Sequence, residues 1–204
     1  MAGAEGSPGG SAEVRSPYRG QENARSDVSK GIRKVEVAIK WNPSPAGQPP
    51  TALDLVAAAY TASDPYGDPA YAVHFDSRSP DSTMHLNRTS DDGAGFGWDE
   101  VMTLELDRLA DSYARVVVGV VVKQHPVHRT FADVLNPALR IREGYTILGE
   151  DDFSGVLEAT AVTVAEFVRD ESGSWTFRAG IHGIEAFDGG TASFTAVMGR
   201  THER

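Results

Sequence analysis

Strand-length apolar runs, each closed by turn-forming residues, recur along most of this chain and restrict it to a β-rich architecture. Val35, Val37, Ile39 and Trp41 alternate with Lys34, Glu36 and Lys40 in the two-residue period of a strand with one buried face. Comparable runs follow at residues 52–60, 70–75, 83–86, 101–106, 115–122, 138–142, 160–168 and 175–181. The segments between them carry turn chemistry, as in Asp64-Pro65-Tyr66-Gly67-Asp68-Pro69, Ser79-Pro80-Asp81 and Glu171-Ser172-Gly173-Ser174. Many short strands joined by polar turns predict a mainly β fold, an antiparallel two-sheet β-sandwich with a few short helices.

Helices are expected at 107–113, which would bury Leu106, Leu109 and Tyr113, and at 193–198. Residues 158–168 carry both signals. Alanine and glutamate favour helix there, whereas Thr160, Val162, Thr163, Val164, Phe167 and Val168 favour strand, and the flanking turns decide for strand.

With 204 residues, the chain has room for one domain with an extension. Residues 1–30 are rich in Gly, Ser, Pro and charge with little to bury, and read as a disordered arm; the domain is expected over 31–204. The chain has no cysteine, which excludes disulfides, thiolate catalysis and cysteine–zinc sites. A formal charge of −10 repels phosphate backbones and attracts cations, so nucleic acid is not an expected partner. The strongest apolar run, 116–122, is far shorter than the ~20 residues of a membrane helix. The start of the chain lacks a basic-then-apolar leader, and Ala2 replaces a myristoylation glycine, so a cytoplasmic location is expected.

The chemistry gathers in residues 87–100, Asn-Arg-Thr-Ser-Asp-Asp-Gly-Ala-Gly-Phe-Gly-Trp-Asp-Glu. Asp91, Asp92, Asp99 and Glu100 offer oxygen ligands, and Gly93, Gly95 and Gly97 let the backbone curl so that carbonyls can add to them. Calcium is the first cation to consider; an ordinary solvated acidic turn has the same composition. The loop is not an EF-hand: counted from Asp91, positions three and five are Gly93 and Gly95, and Phe96 stands where that template requires glycine.

Around this loop the chain resembles the bacterial TerD family of tellurite-resistance and stress-response proteins. Val35-Glu36-Val37-Ala38-Ile39-Lys40-Trp41-Asn42 looks like the family's first strand, which ends in Trp-Asp, and Asp54-Leu55-Val56-Ala57-Ala58-Ala59-Tyr60 looks like its Asp-Leu-Asp-Ala-Ser-Ala-Phe run. Asn87-Arg88-Thr89 and Gly95-Phe96-Gly97-Trp98-Asp99-Glu100 resemble the head and tail of its acidic loop. Phe131, Val134, Asn136, Arg140 and Ile141, then Trp175-Thr176-Phe177-Arg178-Ala179, follow in the same order. The resemblance implies a calcium-binding β-sandwich that serves tellurite or chemical-stress resistance with other stress-response or tellurite-resistance proteins, and it implies no catalytic activity.

Departures from that pattern remove ligand charge. Val56 and Asn42 stand where the family has aspartates, as do Phe96 and Trp98 in the loop tail. The expected metal ligands are Asp54, Asp91, Asp92, Asp99 and Glu100, with Asn42 as a neutral donor; one calcium site at most is expected, with a Kd on the order of 10⁻⁵ to 10⁻³ M. The alternative is a metal-independent scaffold or assembly subunit, in which apolar packing has replaced ion binding at the degenerate positions.

Other groupings carry less. His125 and His128, three apart with Asp133 nearby, suggest a transition-metal site, but Pro126 breaks helical geometry and no third ligand is fixed by spacing. His74 and His85 read as structural or surface histidines. No Gly-x-Ser-x-Gly elbow is present, and Gly93-Ala94-Gly95-Phe96-Gly97-Trp98 lacks the Gly-Lys-Ser/Thr of a phosphate loop. Trp41 and Trp175 are expected in the core, whereas Trp98, beside Phe96, is expected either to cover the acidic site or to anchor a partner.

Overall fold

The computed structural model describes residues 31–124, 127–185 and 190–200. The proposed arm at 1–30 lies outside the described residues, as does His125 of the suggested transition-metal site. Among the described residues, ten strands form two five-stranded antiparallel sheets. They are β1 (Lys34–Asn42), β2 (Leu53–Thr61), β3 (Tyr71–Val73), β4 (Met84–Arg88), β5 (Glu100–Glu105), β6 (Tyr113–Val122), β7 (Leu135–Glu143), β8 (Thr146–Asp151), β9 (Ala159–Arg169) and β10 (Trp175–Glu185). Sheet A has the order β4-β5-β1-β7-β8 and sheet B the order β10-β9-β6-β2-β3.

Between the sheets lies the main core. From β1 it takes Val35, Val37, Ile39 and Trp41, the alternate residues read as the buried face, and Trp175 joins them. Leu53, Leu55, Ala57 and Ala59 of β2 face this core with Val116, Val118, Val120 and Val122 of β6. The opposite set, Val56, Ala58 and Tyr60 with Val117 and Val121, is buried as well, beneath helix α1 (Thr191–Met198), which lays Phe194 and Met198 on it. Burial on both faces is why β2 and β6 read as continuous apolar runs rather than alternating ones. Midway along β6, Gly119 leaves a hollow for the helix: a Cβ there would lie 2.4 Å from Phe194 Cε1.

Two sequence expectations need correction. Residues 107–113 do not form a helix; a single 3-10 turn at Leu106–Arg108 is followed by extended Leu109, and Tyr113 already belongs to β6. Buried Leu106 and Leu109 fasten both sides of that turn, so no span is left to propagate helix. The strand β8 had no sequence signal, since Thr146, Ile147, Leu148, Gly149, Glu150 and Asp151 show only a short apolar step. It is an edge strand joined to β7 through Gly144 and Tyr145, with Gly144 at φ +56°, the hairpin geometry that favours glycine. The ambiguous segment at 158–168 is strand β9, and the C-terminal helix begins two residues before the expected 193.

Candidate functional site

The acidic loop leaves β4 after Arg88 and re-enters sheet A at Glu100, beside the end of β1. Asp99 extends the pairing of β5 with β1: its amide donates to the Ile39 carbonyl at 2.9 Å, and its Oδ2 accepts the Trp41 amide at 3.0 Å. This carboxylate therefore satisfies a backbone donor where β1 shifts register against β7 between Lys40 and Asn42. Gly93, at φ +68°, is pressed onto Trp41, where a Cβ would come within 2.6 Å of the indole. Asp92 Oδ1 accepts the Ala94 amide at 2.9 Å, closing a local turn. Asn42 is exposed at the strand end.

Glu100 points inward and is 1% exposed. Its Oε2 accepts the Leu55 amide at 2.6 Å. That amide faces away from β6, at a stretch of β2 that β3 does not reach, because β3 pairs only with Ala57–Ala59. The Glu100 side chain thus stands in for a missing strand and ties sheet A to sheet B. Burial pushes its pKa up to about 8; the Leu55 amide opposes this, and the charge of Asp54 adds to it.

Asp54, 2% exposed, shares a face of β2 with Val56, Ala58 and Tyr60. Its Oδ2 accepts the Thr191 hydroxyl at 2.8 Å, at the first residue of α1. Its Oδ1 has no hydrogen bond of acceptable geometry, but the Lys123 ammonium stands 3.3 Å away. Burial raises the Asp54 pKa, and Lys123 and Thr191 oppose the rise. Lys123 follows directly on β6 and reaches Asp91 Oδ1 at 2.7 Å, with its Nζ 5.3 Å from the Phe75 ring. Burial disfavours the ammonium, yet the bond to Asp91 and the charge of Asp54 prevail and its pKa is raised. Asp91 is held below the ordinary carboxylate range by its bond to Lys123. His74 is depressed by burial, against the pull of Asp54 and Asp76.

Of the expected ligands, Asp54, Asp91 and Glu100 are thus brought into one electrostatic group with Lys123. Asp92 and Asp99 are engaged by backbone amides, and Asn42, exposed at the end of β1, has no hydrogen bond to the group among the described residues. Lys123 and Thr191 were not anticipated, because nothing local in the sequence joins them to Asp54. Trp98 does not cover the carboxylates: its ring lies between Arg140 (4.5 Å) and Lys40 (5.4 Å) on the outer face of sheet A. Phe96 is 99% exposed, and its carbonyl accepts from Arg88 at 3.2 Å.

The hard carboxylate oxygens of this group suit calcium in kind. Calcium takes about 6 to 8 oxygens, and no three acidic or histidine side chains among the described residues are gathered as a metal-binding set, so these carboxylates alone would not fill its shell. An ammonium already stands against Asp54 and Asp91.

A family model described as the TerD domain matches residues 18–188. Similar solved structures include a protein of unknown function, 68% identical, covering 83% of this chain and 98% of its own, with a TM-score of 0.80. Another is a homologue of telluride resistance protein (TerD) from Streptomyces coelicolor, 47% identical with the same coverage and a TM-score of 0.79. No curated protein matches the sequence.

Proposed function

We propose that this chain, which belongs to the TerD family, is a non-enzymatic β-sandwich module of bacterial tellurite resistance and chemical-stress response that acts through protein partners. The observation that carries the reading is the TerD match across nearly the whole sandwich, together with 47% identity to a telluride-resistance homologue. A binding rather than catalytic role agrees with how the buried carboxylates are engaged: Asp99 holds the Trp41 amide, Glu100 the Leu55 amide and Asp54 the Thr191 hydroxyl. We place the module in the cytoplasm; no helix of the described residues is long and apolar enough to cross a membrane. Deleting the gene in its native host and restoring it with the full chain tests the role. Growth should become sensitive to tellurite and recover on complementation, and unchanged tolerance to tellurite and to other chemical stresses would sink the reading.

The geometry favours a module that folds and works without calcium, because the strongest acidic group already holds a cation of its own in Lys123. A second reading, weak calcium binding at one site, draws on Asp54 Oδ1, which is buried without a hydrogen bond. Calorimetric titration of calcium into metal-stripped protein separates the two. A saturable heat that Asp54→Asn abolishes supports the second, and no heat from folded wild type supports the first.

A further inference from the structure

We propose that Lys123 is a built-in counter-cation which does for Asp54 what a divalent ion would otherwise do, and that the docking of α1 depends on it. The inference rests on the metal-independent reading above. Asp54 joins two things through one carboxylate. Its Oδ2 holds Thr191 at the start of α1, while its Oδ1, buried and without a hydrogen bond, faces the Lys123 ammonium. The placement follows from strand pairing. Asp54 lies opposite Val121, and the Lys123 amide bonds the Ala52 carbonyl, so Asp54 and Lys123 are diagonal neighbours on the face that α1 covers.

Without the ammonium, Asp54 is a buried anion with a single hydroxyl donor, and such a group is strongly destabilising. The chain can then protonate Asp54, release Thr191, or take up another cation. Asp91 is 92% exposed and can follow an incoming ion, and carboxylate oxygens are calcium's preferred ligands. Removing the Lys123 charge should therefore turn a calcium-indifferent protein into a calcium-responsive one. The first structural change should be at α1, whose Phe194 and Met198 cover Val56, Tyr60 and Val117.

The test compares full-length wild type, Lys123→Met and Lys123→Arg by thermal unfolding and by hydrogen exchange of α1 amides, in chelator and in millimolar calcium. Wild type and Lys123→Arg should be indifferent to calcium. In chelator, Lys123→Met should melt several degrees lower with α1 exchanging roughly tenfold faster or more, and calcium should restore most of both. If Lys123→Met does not fold in chelator, the Lys123→Met, Asp54→Asn pair keeps the question open to measurement: it should fold and ignore calcium, whereas a calcium-responsive pair overturns the assignment. A calcium-blind Lys123→Met beside a calcium-blind wild type removes the role of Lys123 alone. A wild type that itself gains stability in calcium removes the metal-independent reading beneath it.

Discussion

Glu100 shows how one residue can be visible in the sequence while its role is not. Its carboxylate belongs to the acidic loop, yet the amide it holds is Leu55, 45 residues away; Asp99 holds Trp41 across 58 residues, and Asp54 meets Thr191 across 137. Sequence spacing can nominate such carboxylates but cannot show what consumes them, and for the same reason it missed Lys123. The role of Glu100 has a pH signature. Between the ordinary value of 4.5 and about 8, the folded chain retains a proton on Glu100 that the unfolded chain has released. Its contribution is therefore fully present below pH 4.5 and is lost as pH rises through about 8. Glu100→Gln keeps an oxygen for the Leu55 amide and removes the titration. Urea unfolding should find the variant close to wild type at pH 5 and more stable than wild type at pH 8, with a flatter slope between. Parallel pH profiles for the two proteins would show that Glu100 does not titrate in this range.

At the scale of elements, the strands that were legible are those with a face to bury. The alternation of β1 and the unbroken apolar runs of β2 and β6 marked them, and the unbroken runs now have a cause in the second apolar layer under α1. What was not legible is β8, an edge strand held by hydrogen bonds to β7, and the failure of 107–113 to become a helix, which tertiary anchoring of Leu106 and Leu109 decided. Gly119 also escaped notice, because a glycine inside a strand reads as a weakness until its partner is known. Its lack of a side chain admits Phe194, so Gly119→Ala should force the helix off its seat and cost about 1 to 3 kcal/mol, the usual range for overpacking. Pairing it with Phe194→Leu should return part of that loss in urea unfolding. Additive losses in the double variant would place the cost at the Val162 carbonyl, 2.8 Å from the same Cβ, rather than at the helix.

Across the whole molecule, α1 is held at each end by a charge from sheet B whose sign suits the helix dipole: the Asp54 carboxylate at Thr191, and the Arg115 guanidinium at Gly199, whose carbonyl accepts from Nη1 at 2.8 Å. Arg115, 1% exposed, also pairs with Glu166 of β9, donates to the Pro65 carbonyl at 3.0 Å and lies against the rings of Tyr60 and Tyr66. One side chain thus fastens the helix, a sheet strand and the loop after β2, and its removal would leave Glu166 buried with, among the described residues, the more exposed Arg178 as its remaining ion-pair partner, 3.4 Å away. Breaking one partner of a buried ion pair typically costs about 3 to 5 kcal/mol, whereas replacing both with apolar groups is often close to neutral. Arg115→Met should therefore lose about that much in chemical denaturation, and Arg115→Met with Glu166→Met should recover most of it. The helix supplies a second readout. Because the carbonyls of Pro65 and Gly199 lose their donor in both variants, α1 amides should exchange faster than wild type even where global stability has returned. If the double variant recovered stability and α1 protection together, the pair would be a matter of sheet B alone, and the attachment of α1 would have to rest on Phe194, Met198 and the Asp54–Thr191 bond.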